Sequence, residues 1–405
     1  MKKQLFVLTA AAIVALSACK KSNNGSNETP DDFSLPYSNL PVEEQKKGLE
    51  KSGINFIDQI TELPSVEAVD VIEHLASLNS PTIGENSLTK LVSAVLAAKQ
   101  KQYDKVMEET GGVPVDPAET TALSELFGVY NWNAQTADWD KVAATDRLEL
   151  NFPASPNATG NNAKFVMTYK SSGIYFVDGS DKTELPSEVN GKLTVGTKEL
   201  LTYKSTAAYK ADATPTATSS TLTLGAYVVS VSASNNGAVA ASDFSIKKND
   251  KVLIASSSKV DGNTGSISGN ESADEIVNNA NTSFQVMNLK IAGKVDVKAL
   301  SKVENNTQNE AAAKKYAEAV NANSALVAIN TDDNTVFAKV KCYAKQGVEI
   351  SYEWDGTNWY AKETKVWKPA FKLQFKDGSL MEVGTYFETG FDNFIDKVNE
   401  FVEKF

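Results

Sequence analysis

Residues 221–232 read Thr-Leu-Thr-Leu-Gly-Ala-Tyr-Val-Val-Ser-Val-Ser. Apolar and hydroxyl side chains alternate along them, the pattern of a strand with one buried face and one wet face. The same alternation runs through 164–170, 284–297 and 336–344, within a stretch from about Tyr130 to Glu388 rich in Thr, Val, Tyr and Ser. Turn signals recur there at short intervals: Asp178-Gly179, Asn190-Gly191, Asn235-Asn236-Gly237, Asp261-Gly262, Asp355-Gly356 and Asp377-Gly378. Strands joined by such turns pair antiparallel. Residues 128–390 are therefore expected to form a large antiparallel sheet, a meander whose curvature and closure the pattern leaves open. One helix, at about 308–321, interrupts it, with Ala311, Ala312, Ala313 and Ala317 supplying high intrinsic propensity.

On either side the period changes to that of a helix. Val66, Val69, Ile72, Leu75 and Leu78 recur every three residues, and Leu88, Leu91, Val92, Val95 and Leu96 follow a three-four spacing. Ser65 is placed to cap the first of these helices, Pro64 and Pro81 flank it, and Gly111-Gly112 with Pro114 closes the next. A helical subdomain over 41–127 is expected. At the other end, Phe391, Phe394, Ile395, Val398, Phe401, Val402 and Phe405 make one apolar stripe over 391–405. Such an amphipathic helix covers a face of the sheet. Four acids, Asp392, Asp396, Glu400 and Glu403, against Lys397 and Lys404 on its polar side argue against a membrane-surface role. The fold class is α+β: an N-terminal helical part, a large antiparallel sheet and a C-terminal covering helix.

Residues 1–19, MKKQLFVLTAAAIVALSAC, order two lysines, a 12-residue apolar run and Leu16-Ser17-Ala18-Cys19. The run is shorter than the roughly 20 residues that cross a bilayer, and the order is that of an export signal. It resembles the lipobox of bacterial lipoprotein precursors. That resemblance implies cleavage after residue 18, acylation of Cys19 with palmitate-type chains, and a place in the cell envelope at the outer membrane. Whether the body faces the periplasm or the cell surface is left open. Residues 19–40, polar and rich in Ser, Asn and Pro, read as a flexible tether, and Lys20 and Lys21 would add a weak attraction to anionic headgroups, about 1 kcal/mol each.

Composition narrows the chemistry. Forty basic against 51 acidic side chains give a net charge of −11, which repels phosphate backbones and makes nucleic acid an unexpected partner. Two cysteines, one of them Cys19, leave Cys342 alone in an alternating run, where it is expected to be a buried strand residue. The single histidine, His74, removes histidine-cluster metal sites and Ser-His-Asp arrangements; it is read as an exposed helix residue four positions after Asp70. Ser-x-x-Lys tetrads begin at Ser87, Ser245 and Ser256, without the companion motifs of serine acyl-transfer enzymes. The segment Asp261-Gly262-Asn263-Thr264-Gly265 with Glu271 misses the calcium-loop spacing by one residue. No phosphate-binding glycine motif occurs. No cofactor and no metal are expected, and the protein is read as a non-catalytic one.

The segment Tyr352-Glu353-Trp354-Asp355-Gly356-Thr357-Asn358-Trp359-Tyr360 stands out. With a turn at 355–358, Trp354 and Trp359 face each other, Tyr352 shares their face, and Glu353 and Tyr360 take the other. Trp367 follows, and Trp132 and Trp139 mark a second aromatic region. Such rings ordinarily anchor a sheet; if exposed, Tyr352, Trp354, Trp359 and Trp367 become candidates for ligand binding. Gly128-Val129-Tyr130-Asn131-Trp132-Asn133, Trp139, Leu148-Glu149-Leu150-Asn151-Phe152-Pro153 and the Trp354…Trp359 hairpin together resemble uncharacterised β-rich lipoproteins of Bacteroidetes envelopes. The resemblance brings no known activity. The leading expectation is a lipid-anchored protein that binds a glycan or an envelope protein, or helps assemble its neighbours, in an oligomeric state left open. The alternatives are a carrier with a lipid or other apolar ligand in a sheet–helix groove, and a glycan hydrolase using two carboxylates.

Overall fold

Pro41, with φ −57°, sets the chain for helix α1 (Val42–Thr61), and Glu43 and Glu44 meet the positive end of its dipole. A 3-10 turn at Leu63–Ser65 follows, and then α2 (Glu67–Ser77). Ser65 does not cap α2: Pro64 draws it into the 3-10 turn, its N–H bonds Glu62 O, and Val66 takes the cap position without a side-chain bond. The computed structural model describes residues 32–78, 127–178, 181–265, 273–304, 309–354 and 356–403. The signal and Cys19, most of the tether, the helix around 88–96 with Pro81 and Gly111-Gly112, the tetrad at Ser87, and Gly179, Glu271 and Asp355 lie outside the described residues.

The strands then follow almost without interruption: β1 (Gly128–Asn133), β2 (Asp138–Val142), β3 (Leu148–Phe152), β4 (Ala163–Asp178), β5 (Asp181–Val195), β6 (Lys198–Tyr209), β7 (Pro215–Leu224), β8 (Tyr227–Asn235), β9 (Val239–Lys248) and β10 (Lys251–Gly262). A short turn of helix, α3 (Ala273–Ile276), leads to β11 (Val277–Val286) and β12 (Leu289–Asp296). Next come α4 (Val297–Leu300) and α5 (Glu310–Asn323), then β13 (Ser324–Asn330), β14 (Thr335–Trp354), β15 (Trp359–Gln374) and β16 (Leu380–Glu382). Helices α6 (Val383–Phe387) and α7 (Asp392–Glu403) close the described chain. Among the described residues these strands form one open sheet of sixteen, ordered β16 to β3 in sequence and then β1 and β2. Neighbours are antiparallel except β1 and β3, which run parallel because β2 pairs on the outer side of β1. The helix expected at 308–321 is α5, two residues further on, capped by the Asn309 side chain.

Two expected strands are hairpins. Residues 221–232 turn at Gly225-Ala226, so that Leu224 pairs with Tyr227 and Leu222 with Val229. Residues 284–297 turn at Met287-Asn288, so that Val286 pairs with Leu289. Gly225 (φ +56°) and Met287 (φ +52°) hold the left-handed backbone these two-residue turns require. Conversely, Asn190-Gly191 is no turn: it lies inside β5, with Gly191 between Met167 and Tyr203. A Cβ there would sit 3.4 Å from the Phe165 ring, so the glycine makes room for an aromatic on the adjacent strand.

The helices at 42–77 form the N-terminal helical part and pack on the sheet. Val69, Ile72 and Leu75 share one core with Leu148, Phe152, Leu193, Leu201 and Leu253 of the sheet. A second core, at the other end of the sheet, joins Ala328, Phe337, Leu373, Tyr386 and Phe391, with Val42 and Leu49 of α1 against it. A third lies under the N-terminal segment, where Phe33, Leu35 and Tyr37 cover Ala292, Val327, Ile329 and Val336. Helix α7 packs on α1 rather than directly on the sheet alone; the missing side chain of Gly53 lets the Phe394 ring seat there. Strands β6 and β7, whose Leu201, Leu222 and Leu224 belong to the first core, are further joined by hydroxyl pairs, Ser205–Ser220 (3.0 Å) and Thr206–Ser219 (2.8 Å), one on each face.

Tyr386 offers a stability test. It is fully buried beside Phe375 and Phe391, and its hydroxyl has no hydrogen-bond partner among the described residues. Burial raises its pKa, so the hydroxyl stays neutral. The buried Lys46 ammonium lies 5.0 Å from the ring centre and bonds Thr389, not the phenol. An unmatched buried hydroxyl costs roughly 1–3 kcal/mol. Tyr386→Phe is therefore expected to raise the thermal midpoint, as read by calorimetry; an unchanged or lower midpoint would show that the hydroxyl is matched.

Candidate functional site

Strands β14 and β15 outrun their neighbours. Pairing with β13 ends at Lys339 and pairing with β16 at Lys372, whereas β14 and β15 stay paired to Trp354 and Trp359. The thirteen residues from Cys342 to Trp354, at about 3.3 Å each, give a two-stranded arm on the order of 40 Å long. An isolated hairpin is marginal in water, so the arm needs local ties. At its base, the Asn321 amide of α5 donates to Cys342 O (2.8 Å) and accepts from Cys342 N–H (2.9 Å), occupying the open edge of β14 as a strand would. Helix α5 packs on both strands.

Register places Val348, Ile350, Tyr352 and Trp354 on one face with Trp359, Ala361 and Trp367, and with two charged residues, Glu363 and Lys365. The other carries Glu349, Glu353, Tyr360, Lys362 and Lys368, tied by Glu353–Lys362 (2.6 Å), Glu349–Lys368 (2.8 Å) and a 3.0 Å bond from the Tyr360 hydroxyl to Glu353. Those donors hold the Glu353 carboxyl below its ordinary pKa, and the carboxylate pushes the Tyr360 phenol up. The apolar face lies open. Tyr352 is 70% exposed, Trp359 68%, Ile350 57%, and Trp354 and Val348 53% each. The Trp354 and Trp359 rings pair across the strands at 5.6 Å, tilted 52°. Trp367, nearer the base, is half-buried.

Tyr352, Trp354 and Trp359 thus come together on one exposed face, with Trp367 at its foot. Val348 and Ile350, which extend that face, were not singled out in the sequence; alternation relative to Trp354 would have placed them there. The second aromatic region differs: Trp132 and Trp139 are also paired (5.4 Å, 70°) but pack against the first core.

The other candidate chemistries fare differently. Cys342 is buried, and burial pushes its thiol pKa up, away from thiolate. His74 is half-buried rather than exposed, 3.3 Å from Ser77 Oγ, and desolvation lowers its pKa. Ser245 and Lys248 sit on β9, and Ser256 and Lys259 on β10. Residues three apart on a strand point to opposite faces, so neither lysine can activate its serine. Asp261 accepts a bond from Asn279, and no cluster of three metal-ligating side chains occurs among the described residues. A cleft of about 320 Å³ between α1 and α7 has Asp58, Glu62, Lys397 and Glu400 in its wall. No helix among the described residues is long and apolar enough to cross a membrane. Comparison of the chain with protein-family models, with curated proteins and with solved structures finds no match.

Proposed function

We propose that this chain is a lipid-anchored cell-envelope protein that binds rather than catalyses, and that the aromatic face of the β14–β15 arm is its glycan-binding surface. One observation carries the reading: three aromatic rings on a projecting arm are more than half exposed on a single face, while the opposite face is tied up in ion pairs. Sheets do not normally leave such rings to water, and contiguous exposed apolar surface of this kind marks an interaction site. Flat aromatic faces pack on the apolar C–H faces of sugar rings, and Glu363 and Lys365, beside Ile350 and Val348 in the register, supply polar groups at the margin. The α1–α7 cleft, where Ile57 and Phe401 stand beside four charged side chains, gives a lipid carrier no comparable support. The arm's open ladder edges, together with Val348 and Ile350, favour a second reading, a polypeptide added as a strand.

The test is affinity electrophoresis through polysaccharide gels. Trp354→Ala with Trp359→Ala is expected to leave the thermal transition in place, since neither ring touches a core cluster, and to weaken retention about tenfold or more. Unchanged retention of the double variant, or no retention of the wild type on any polysaccharide, would end the glycan reading. A wild type that is not retained yet captures an extended peptide through the arm would establish the second.

A further inference from the structure

The sheet face opposite the arm's aromatic one gathers cations in a chain of net charge −11. Ala292, Val327, Ile329 and Val336 lie on this face beneath Phe33, Leu35 and Tyr37. Lys290 and Lys294 flank Ala292 at two-residue spacing, and Lys339 pairs with Val327. Lys341 and Lys345 continue the alternation, and Lys372 stands directly opposite Lys341. Three carboxylates stand among these six lysines: Asp32 pairs with Lys290 (2.5 Å), Glu382 with Lys345 (2.8 Å) and the Tyr343 hydroxyl, and Asp296, two residues beyond Lys294, accepts from Ala299 N–H. Asp332 and Asp333 in the nearby turn bond Asn288 and Thr335. Lys294, Lys339 and Lys372 rest over the rings of Phe33, Tyr37 and Tyr343 at 4.3, 5.1 and 4.3 Å. Lysines facing each other across a ladder repel. An anionic surface laid against them turns that repulsion into attraction.

The path of the chain says which anionic surface. Residues 32–39 cross this face, with Tyr37 bridged to Val336. Residue 32 is thirteen positions from Cys19, so an acyl group at Cys19 lies within about 45 Å of Asp32, the partner of Lys290, whatever the course of the chain between. We propose that the lysine-lined face of β12, β14 and β15 rests on an anionic lipid bilayer. Here the proposal rests on the reading of Cys19 as acylated. The arm's aromatic face then looks away from the lipid.

The test uses residues 19–405 with Cys19→Ser, which keep every described element and carry no acyl chain. The chain is sedimented with vesicles of equal parts phosphatidylglycerol and phosphatidylcholine, and with phosphatidylcholine alone. Wild-type sequence is expected to favour the anionic vesicles at low salt and to lose the preference as salt rises. Each lysine at an anionic surface is worth about fivefold, so Lys294→Gln, Lys339→Gln and Lys341→Gln together should weaken binding on the order of a hundredfold. A matched set elsewhere, Lys210→Gln, Lys251→Gln and Lys315→Gln, should bind as wild type. Circular dichroism confirms the fold of each, and single Lys341→Gln, which disturbs no ring contact, should still show a fivefold loss. No preference for anionic vesicles, or equal losses in both sets, overturns the proposal. Because no acyl chain takes part, palmitate labelling of Cys19 succeeds or fails separately from this result.

Discussion

Phe152→Ala is expected to melt one end of the sheet and leave the other standing. Phe152 is fully buried and faces Ala163 across the β3–β4 ladder, a large side chain filling the space left by a small one. Truncation removes it from a core that includes Leu148, Leu150, Val69 and Leu193, at a cost of about 3–5 kcal/mol. In a globular domain that loss would spread over the whole molecule. Here each strand is bonded to its neighbours in a long meander; the first core reaches β10 through Leu253, and the second begins at β13 with Ala328. Stability in such an array is close to a sum of local and nearest-neighbour contributions. Native-state hydrogen exchange should therefore show protection falling by a hundredfold or more over 127–229 and little changed over 324–391. Helices α1 and α7 are the routes by which damage would spread, because Ile60 and Phe401 belong to the first core and Leu49 and Ile395 to the second. Uniform loss along the chain would mean that these helices weld the sheet into one cooperative unit.

The class of fold was legible because alternation and turn chemistry are local. Asn235-Asn236-Gly237 and Asp377-Gly378 do separate strands, and Trp354 does pair with Trp359. Local signals also explain the errors. Gly225-Ala226 and Met287-Asn288 turn the chain without Asn-Gly or Asp-Gly, and an aromatic neighbour, not a turn, set Gly191. The parallel β1–β3 pair joins residues twenty apart, and the packing of α2 on β6 spans more than 120 residues; no period encodes either contact. For the arm, the sequence showed which rings share a face. Their exposure follows from β13 and β16 being shorter than β14 and β15, a comparison between strands that no single segment contains.

The largest effect is expected at Cys19. Each methylene buried in a bilayer contributes about 0.8 kcal/mol, and two or more acyl chains hold a protein on a membrane where one does so only marginally. No helix among the described residues is long and apolar enough to cross a bilayer, and the chain is strongly acidic overall. The lysine face alone, at about 1 kcal/mol per cation, gives salt-sensitive attachment. Cys19→Ser should accordingly abolish incorporation of labelled palmitate and move the protein from the membrane pellet to the soluble fraction in a high-salt wash. At low salt a residual pelleted fraction should remain, and Lys294→Gln, Lys339→Gln and Lys341→Gln should remove it. The two attachments thus separate by salt: acyl chains are indifferent to it, whereas the cationic face weakens as the screening length falls below the spacing between charges. A Cys19→Ser protein that still pellets in high salt would place its membrane attachment elsewhere in the chain and would remove the anchor on which the orientation of the arm depends.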